Sequence, residues 1–106
     1  MQVLINTDNA TEGRERFVER VEATVRDRLS RYSDKLSRVE VHLSDVNGDR
    51  GGNDKRCMIE LRPNGLDPLV ATDQADTIDA AINGAVGKSL AALDRTLGKL
   101  ASRRSH

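Results

Sequence analysis

Hydrophobic and polar residues alternate along three short segments and recur at every third or fourth position along two longer ones. Alternation predicts β-strands, because successive side chains of a strand point to opposite faces of a sheet. The alternating segments are 2–6, 39–43 and 56–62, and a short fourth strand is predicted at 69–72, after the turn at 63–65. Segments 11–34 and 76–102 show the 3.6-residue period of amphipathic helices. The pattern therefore predicts the order β-α-β-β-β-α.

One apolar stripe runs along each predicted helix. We expect the first helix to begin at Thr11, with Glu12 and Glu15 in its first turn, and to end near Asp34. Its stripe consists of Phe17, Val21, Val25, Leu29, Tyr32 and Leu36. The stripe of the second helix consists of Ile78, Ile82, Val86, Leu90, Leu93, Leu97 and Leu100. Both stripes are expected to face one core.

The length of 106 residues predicts a single domain, residues 1–106, with one core. The lone Cys57 cannot form an internal disulfide, so the composition carries no sign of an oxidising compartment. No apolar run approaches the ~20 residues of a membrane span, and the N-terminus resembles a strand rather than a signal peptide. We therefore expect a cytoplasmic protein that does not bind membranes.

The overall charge argues mildly against a nucleic-acid partner. The chain has 17 basic and 17 acidic residues, whereas a protein that contacts many phosphates is usually basic. The aromatic residues are Phe17 and Tyr32 only, so platforms on which bases could stack are missing. Any contact with RNA is therefore expected to involve its backbone and shape.

The distribution of charge changes this picture, because a local patch can outweigh a neutral total. On a helical wheel, one flank of the first helix carries Arg16, Arg20 and Arg31, with Asp27 among them. One flank of the second helix carries Lys88, Arg95 and Lys99. Two interpretations remain open: the flanks are ordinary solvated helix faces, or they form a groove that is complementary to phosphates.

A calcium site is not supported by the sequence. The spacing Asp45-x-Asn47-x-Asp49 is similar to the start of an EF-hand loop. That loop needs Gly at position six and a bidentate Glu at position twelve, where this chain has Arg50 and Arg56.

The sequence does not support other catalytic or metal-binding arrangements either. By alternation, Cys57 points to the core and His42 to the opposite face, so the two do not form a nucleophile–base pair. His42, Cys57 and His106 lack the spacing of a metal site. The segment 51–56 lacks the Gly-Lys-Ser/Thr ending of a phosphate-binding loop. We expect no enzyme, no metal, no cofactor and no small-molecule substrate.

Several short segments, in order, resemble the ribosome hibernation promoting factor family, also called ribosome-associated inhibitor A or sigma-54 modulation proteins. They are Thr11-Glu12, Phe17-Val18-Glu19, Tyr32-Ser33-Asp34, Val39-Glu40-Val41-His42-Leu43, Ala80-Ala81-Ile82-Asn83 and Lys88. The resemblance implies an α+β fold in which two helices pack on one face of a four-stranded sheet, like a double-stranded-RNA-binding domain. It also implies binding to the small ribosomal subunit through rRNA and repression of translation in idle cells.

The resemblance transfers one rRNA-binding position by motif, Lys88. The helical wheel adds Arg95 and Lys99 on the same flank, and Arg16, Arg20 and Arg31 on the other helix. We also expect a mobile contact from the glycine-rich loop 47–54 and its neighbours, with the cations Arg50, Lys55 and Arg56.

Three departures from the family's pattern bear on the expected function. Ala91, Ala92 and Asp94 occupy a stretch that is usually rich in Lys and Arg, so the rRNA contact is expected to be weaker or differently placed. The first helix is roughly one turn longer than is typical between Phe17 and Tyr32. The sequence also corresponds to the family's short form, without the dimerisation domain of the long members. The alternative function is a protein–protein interaction module that has lost rRNA binding, with an exposed apolar patch around Met58 and Val70.

Overall fold

Two helices and four strands make up the described part of the chain. The structure is a computed structural model that describes residues 1–7, 14–45 and 55–104, except for the side chains of residues 14 and 99–104. In chain order the elements are β1 (Gln2–Thr7), α1 (Arg14–Arg28), β2 (Leu36–Asp45), β3 (Lys55–Pro63), β4 (Leu69–Ala75) and α2 (Ile78–Arg104). This order confirms the predicted β-α-β-β-β-α arrangement.

The four strands form one mixed sheet with the order β1-β2-β3-β4. β1 runs parallel to β2, because α1 carries the chain back to the starting edge of the sheet, whereas β2 pairs antiparallel with β3 and β3 with β4. β1 and β4 are consequently the two edge strands.

Both helices pack on one face of this sheet, which we call the inner face. Alternate strand residues point to it, and the register places them in rows such as Ile5, Val41, Ile59 and Ala71. Most of these side chains join the buried residues of α1 and α2 in a single cluster. The helical members of the cluster are Val21, Val25, Ala81, Ile82, Ala85, Val86 and Leu93. The predicted α+β fold is thus confirmed.

The predicted end of the first helix near Asp34 is wrong. α1 ends at Arg28, and a 3₁₀ turn follows at Ser30–Tyr32. Leu29 is fully buried and leaves helical geometry, with φ −100° and ψ 10°. Anchoring this side chain in the core turns the backbone toward β2, where Leu36 is the first residue rather than the last member of a helical stripe.

The start of α2 also differs slightly from the prediction, since the helix begins at Ile78 rather than near Asp76. The Thr77 hydroxyl accepts a hydrogen bond from the backbone N–H of Ala80 at 3.2 Å. A threonine in this position satisfies an N–H that has no partner within the helix, and it therefore sets the first turn. The predicted start of the first helix, with Thr11 and Glu12, lies outside the described residues.

The predicted separation of Cys57 and His42 is confirmed. Cys57 is fully buried on the inner face, and burial, together with the charge of Asp73, raises the pKa of its thiol to about 12. His42 lies on the opposite, outer face, where its Nδ1 is 3.3 Å from the Asn6 amide nitrogen. A buried thiol with this pKa stays protonated at neutral pH and is a poor nucleophile.

Candidate nucleic-acid interface

Arg20 of α1 reaches across to α2. Its Nη2 atom lies 3.3 Å from Oδ1 of Asp79, and its guanidinium carbon lies 5.5 Å from the centre of the Phe17 ring. Arginine suits such a position, because its planar group stacks on a ring and donates in its own plane. We call Phe17, Arg20 and Asp79 the Arg20 cluster.

Arg31 repeats this arrangement in the 3₁₀ turn that follows α1, rather than on the flank of the first helix where the sequence placed it. Its Nη2 atom donates to Oδ1 of Asp94 at 2.7 Å, and its guanidinium carbon lies 4.8 Å from the centre of the Tyr32 ring. The Tyr32 hydroxyl also donates a hydrogen bond to Oδ1 of Asp94. We call Tyr32, Arg31 and Asp94 the Arg31 cluster. The only two aromatic residues of the chain therefore each lie beside an arginine that pairs with an α2 carboxylate.

The helices lie side by side and run in the same direction, since their contacts occur in the same order along both. Between the two clusters, Nη1 of Arg28 donates to the side-chain oxygen of Asn83 at 3.2 Å. Arg20 and Asp79 also line a cleft between the helices, together with Val21, Thr24, Ile82 and Asn83. Side chains of both helices thus bridge the groove between them.

Lys88 lies on a different side of α2. Its Nζ donates to the backbone oxygen of Thr72 at 3.0 Å and lies 3.1 Å from Oδ1 of Asp73, both of which belong to the edge strand β4. Lys88 is about 140° around the helix from Asn83, which faces α1. Arg95 follows Lys88 by seven residues and is therefore on the same flank, where it is exposed.

Of the two interpretations that the sequence left open, a phosphate groove between facing basic flanks is therefore not supported. Arg20 and Arg31 lie on one side of the exposed surface of α2, and the Lys88 flank lies on the other side. The residues between them on that surface are small and exposed, namely Ala80, Gly87 and Ala91, and a Cβ added at Gly87 would meet nothing within 4 Å. We call these three residues the α2 ridge. A rod-shaped polyanion could approach the ridge closely, with cations on either side of it.

The remaining predicted cations are spread more widely. Arg16 is exposed on α1, without an ion pair among the described residues. Lys55 and Arg56 belong to β3 rather than to the loop, and the Nζ of Lys55 lies 2.8 Å from Oδ1 of Asp45. Arg56 is on the outer face of the sheet, away from both helices.

Two of the predicted cations are described incompletely or not at all. Lys99 lies within α2 but its side chain is outside the described part, and Arg50 lies outside the described residues, as does loop 47–54. The assignment of Lys99 to the flank of Lys88 and Arg95 by the helical period stays a prediction.

The outer face of the sheet carries an ion-pair ladder that the sequence patterns did not reveal. Glu40 lies directly opposite Glu60 on the neighbouring strand, an arrangement that is unfavourable for two like charges. Arg38 pairs with Glu40, and Nη2 of Arg62 lies 2.8 Å from Oε1 of Glu60, so each carboxylate is compensated. Strand register decides these contacts, and alternation alone does not specify register.

Gly84 of α2 permits a close approach to β4. An ideal Cβ at this position would lie 1.8 Å from Oδ2 and 2.6 Å from Cγ of Asp73. Glycine therefore leaves room for the Asp73 carboxylate, which in turn holds Lys88.

We expect Gly84→Ala to destabilise the protein by about 1–3 kcal/mol, although alanine is the better helix former by up to ~1 kcal/mol. The reason is that Asp73 must rotate away and lose Lys88. Urea denaturation of the variant and the wild type measures the change in the free energy of unfolding. In an Asp73→Ala background the same substitution should become neutral or stabilising.

Gly87→Ala is the matched control, because Gly87 is in the same helix and has open space around it. It should stabilise the protein by up to ~1 kcal/mol through helix propensity alone. An equal cost of Gly84→Ala with and without Asp73 would contradict the assigned contact.

Among the described residues, no group of three or more His, Cys, Asp or Glu side chains could hold a metal ion. Within the same ranges, neither helix has the length and apolarity that a membrane span needs. The exposed large hydrophobic side chain of the described part is Val70, which is 59% exposed, whereas Met58 is half-buried. The apolar patch expected for a protein-interaction module is thus small where the structure describes it.

Comparison with known proteins places these features in a family context. A family model described as sigma 54 modulation protein / S30EA ribosomal protein matches residues 4–104. No curated protein matches the sequence. Among solved structures, a ribosomal subunit interface protein from Coxiella burnetii is similar, with a TM-score of 0.67 and 12% sequence identity. The match covers 92% of this chain and 99% of that chain, and at this identity it demonstrates a shared fold.

Proposed function

Because this chain belongs to the sigma 54 modulation protein / S30EA ribosomal protein family, we propose that it associates with ribosomes and acts as a hibernation factor. It binds the small ribosomal subunit through the rRNA backbone and represses translation in idle cells. The site of action is then the cytoplasm, and no catalytic step is required. The similar solved structure is that of a ribosomal subunit interface protein, which is consistent with this proposal.

The observation that carries the proposal is the arrangement of cations about the α2 ridge. Arg16, Arg20 and Arg31 lie on one side, and Lys88 and Arg95 on the other. Small side chains on the ridge allow a sugar–phosphate backbone to approach, and long side chains on both sides can donate to phosphate oxygens. Neither aromatic ring is available for base stacking, so the protein contacts the RNA backbone and recognises the shape of the RNA.

The distribution of charge within the chain further favours this surface. Glu15, Glu19 and Glu22 lie on the flank of α1 that faces away from α2. These three glutamates therefore contribute to the neutral total from a side away from the ridge, whereas other carboxylates pair with the cations beside the ridge.

Co-sedimentation with purified ribosomes on sucrose gradients tests this function. We expect the protein to migrate with the small subunit and the intact ribosome at about 50 mM salt and to dissociate at several-fold higher salt, because phosphate contacts release counterions. A translation assay with and without the protein tests repression. Protein that stays at the top of the gradient at low salt would contradict the proposal.

The salt dependence also separates this function from the protein-interaction module. Binding to rRNA phosphates weakens with a slope of about −1 in log K against log salt per contact, whereas apolar binding changes little. Association with the ribosome that is insensitive to salt would favour a ribosomal protein as the partner.

A further inference from the structure

The Arg20 and Arg31 clusters raise a question that ribosome binding alone does not answer. If arginines of α1 contact rRNA, carboxylates placed against them lower the affinity for any polyanion. Asp79 and Asp94 are nevertheless aimed at these two arginines from the neighbouring helix, and both pairs are built alike.

We propose that Asp79 and Asp94 are specificity-determining residues, which hold Arg20 and Arg31 in fixed orientations and so suppress binding to RNA of the wrong shape. This inference rests on the proposed function and assigns a role to two acids in the same surface. It also explains how a chain of zero net charge can discriminate among nucleic acids.

The contacts leave part of each guanidinium available. Among the described contacts, Asp79 engages Arg20 through Nη2, and Asp94 and Tyr32 engage Arg31 through Nη2. A guanidinium carries five N–H donors, so its remaining N–H groups can donate to a phosphate while the carboxylate stays in place. The side chains of Arg20 and Arg31 are 59% and 65% exposed, which makes these donors accessible.

Arginines that are held in place and arginines that move freely differ in their affinities for folded and flexible RNA. A folded rRNA surface whose phosphates match the fixed positions loses little entropy on binding, since the arginines are already oriented. A flexible single strand gains less, because the arginines cannot follow it and the carboxylates repel its phosphates at close range. Asp79 and Asp94 therefore lower the affinity for flexible RNA more than they lower the affinity for an rRNA surface whose phosphates match the fixed arginines.

The test compares Asp79→Asn/Asp94→Asn with the wild-type protein, using two ligands, a short polyuridylate strand and purified small ribosomal subunits. Asparagine preserves size and removes the charge. We expect affinity for polyuridylate to rise by about 3- to 10-fold, the scale of two exposed ion pairs, and affinity for the subunit to change by less than about 2-fold. The ratio of the two affinities should therefore fall.

Glu15→Gln/Glu19→Gln is the matched control. It removes the same charge from exposed positions of α1 that have no ion pair among the described residues. This control should leave the ratio close to that of the wild type. Circular dichroism and thermal unfolding of both variants check that the helices remain packed.

The outcomes distinguish this inference from the proposed function. If both affinities rise by the same factor, or neither changes, Asp79 and Asp94 do not determine specificity, although ribosome binding stands. The same holds if the control lowers the ratio equally, because net charge is then sufficient. If the wild-type protein fails to bind subunits, the proposed function fails and this inference fails with it.

Discussion

Replacing Lys88, Arg95 and Lys99 together by glutamate is expected to abolish binding to the small ribosomal subunit. Each cation on this flank of α2 is expected to face a phosphate, and reversal of its charge replaces an attraction by a repulsion. The loss should reach at least about 100-fold at moderate salt, and the salt slope of the residual binding should be shallower by about one unit per lost contact. Co-sedimentation across a salt series measures both quantities.

The matched control is the triple replacement of Arg26, Lys35 and Arg62 by glutamate. It changes the net charge equally, but the three residues are exposed on other surfaces, namely the far flank of α1, a turn and the outer face of the sheet. If the control weakens binding as much as the test variant, a general field and not the α2 flank attracts the ribosome. Unchanged binding of the test variant would refute the assignment of this flank.

One detail of the triple variant requires its own check. A glutamate at position 88 would lie near Asp73 and would leave the Thr72 oxygen without its donor. Lys88→Gln with Arg95→Gln and Lys99→Gln avoids the carboxylate repulsion and should still weaken binding strongly. Similar unfolding midpoints for this variant and the wild type would show that lost binding does not reflect lost folding.

Truncation of Ile59 to alanine is expected to have the largest effect on stability. Ile59 is fully buried at the centre of the inner face, opposite Val41 and Ala71 on the adjacent strands. Loss of its methyl and methylene groups removes apolar contacts and leaves a cavity beneath the helices. The free energy of unfolding should fall by about 2–5 kcal/mol. Urea denaturation monitored by circular dichroism measures the change.

Val70→Ala is the control for this prediction. Val70 belongs to the same sheet but lies on the outer face and is 59% exposed, so its truncation should cost less than about 0.5 kcal/mol. Comparable costs at both positions would mean that the two faces of the sheet are not distinguished as the structure has them.

The ends of the elements show what local patterns could not predict. The apolar repeat of the first helix continues through Tyr32 and Leu36, so periodicity alone predicts a helix as far as Asp34. The chain instead leaves the helix at Leu29, because that side chain is anchored in the core and the backbone must turn to begin β2 beside β1. The position at which this helix ends therefore depends on contacts between segments that are distant in sequence.

The charged residues also show which features follow from local sequence and which depend on contacts between distant segments. Rotation about a helix axis correctly grouped Lys88 with Arg95, since the 3.6-residue period is a local property. It could not reveal which flank of α2 faces α1, so whether the two basic flanks line a common groove was left open. The pairs of Arg20 with Asp79 and Arg31 with Asp94 depend on the relative placement of two helices about 60 residues apart in the chain.

By itself, the sequence determined the order of strands and helices, the inward residues of each and the family resemblance, because periods of two and 3.6 residues and short motifs are local. The tertiary structure alone decided the register that opposes Glu40 to Glu60, the packing of Gly84 against Asp73 and the placement of cations about the α2 ridge. These features arise where separate elements meet, and the free energy that selects them comes from contacts across the fold.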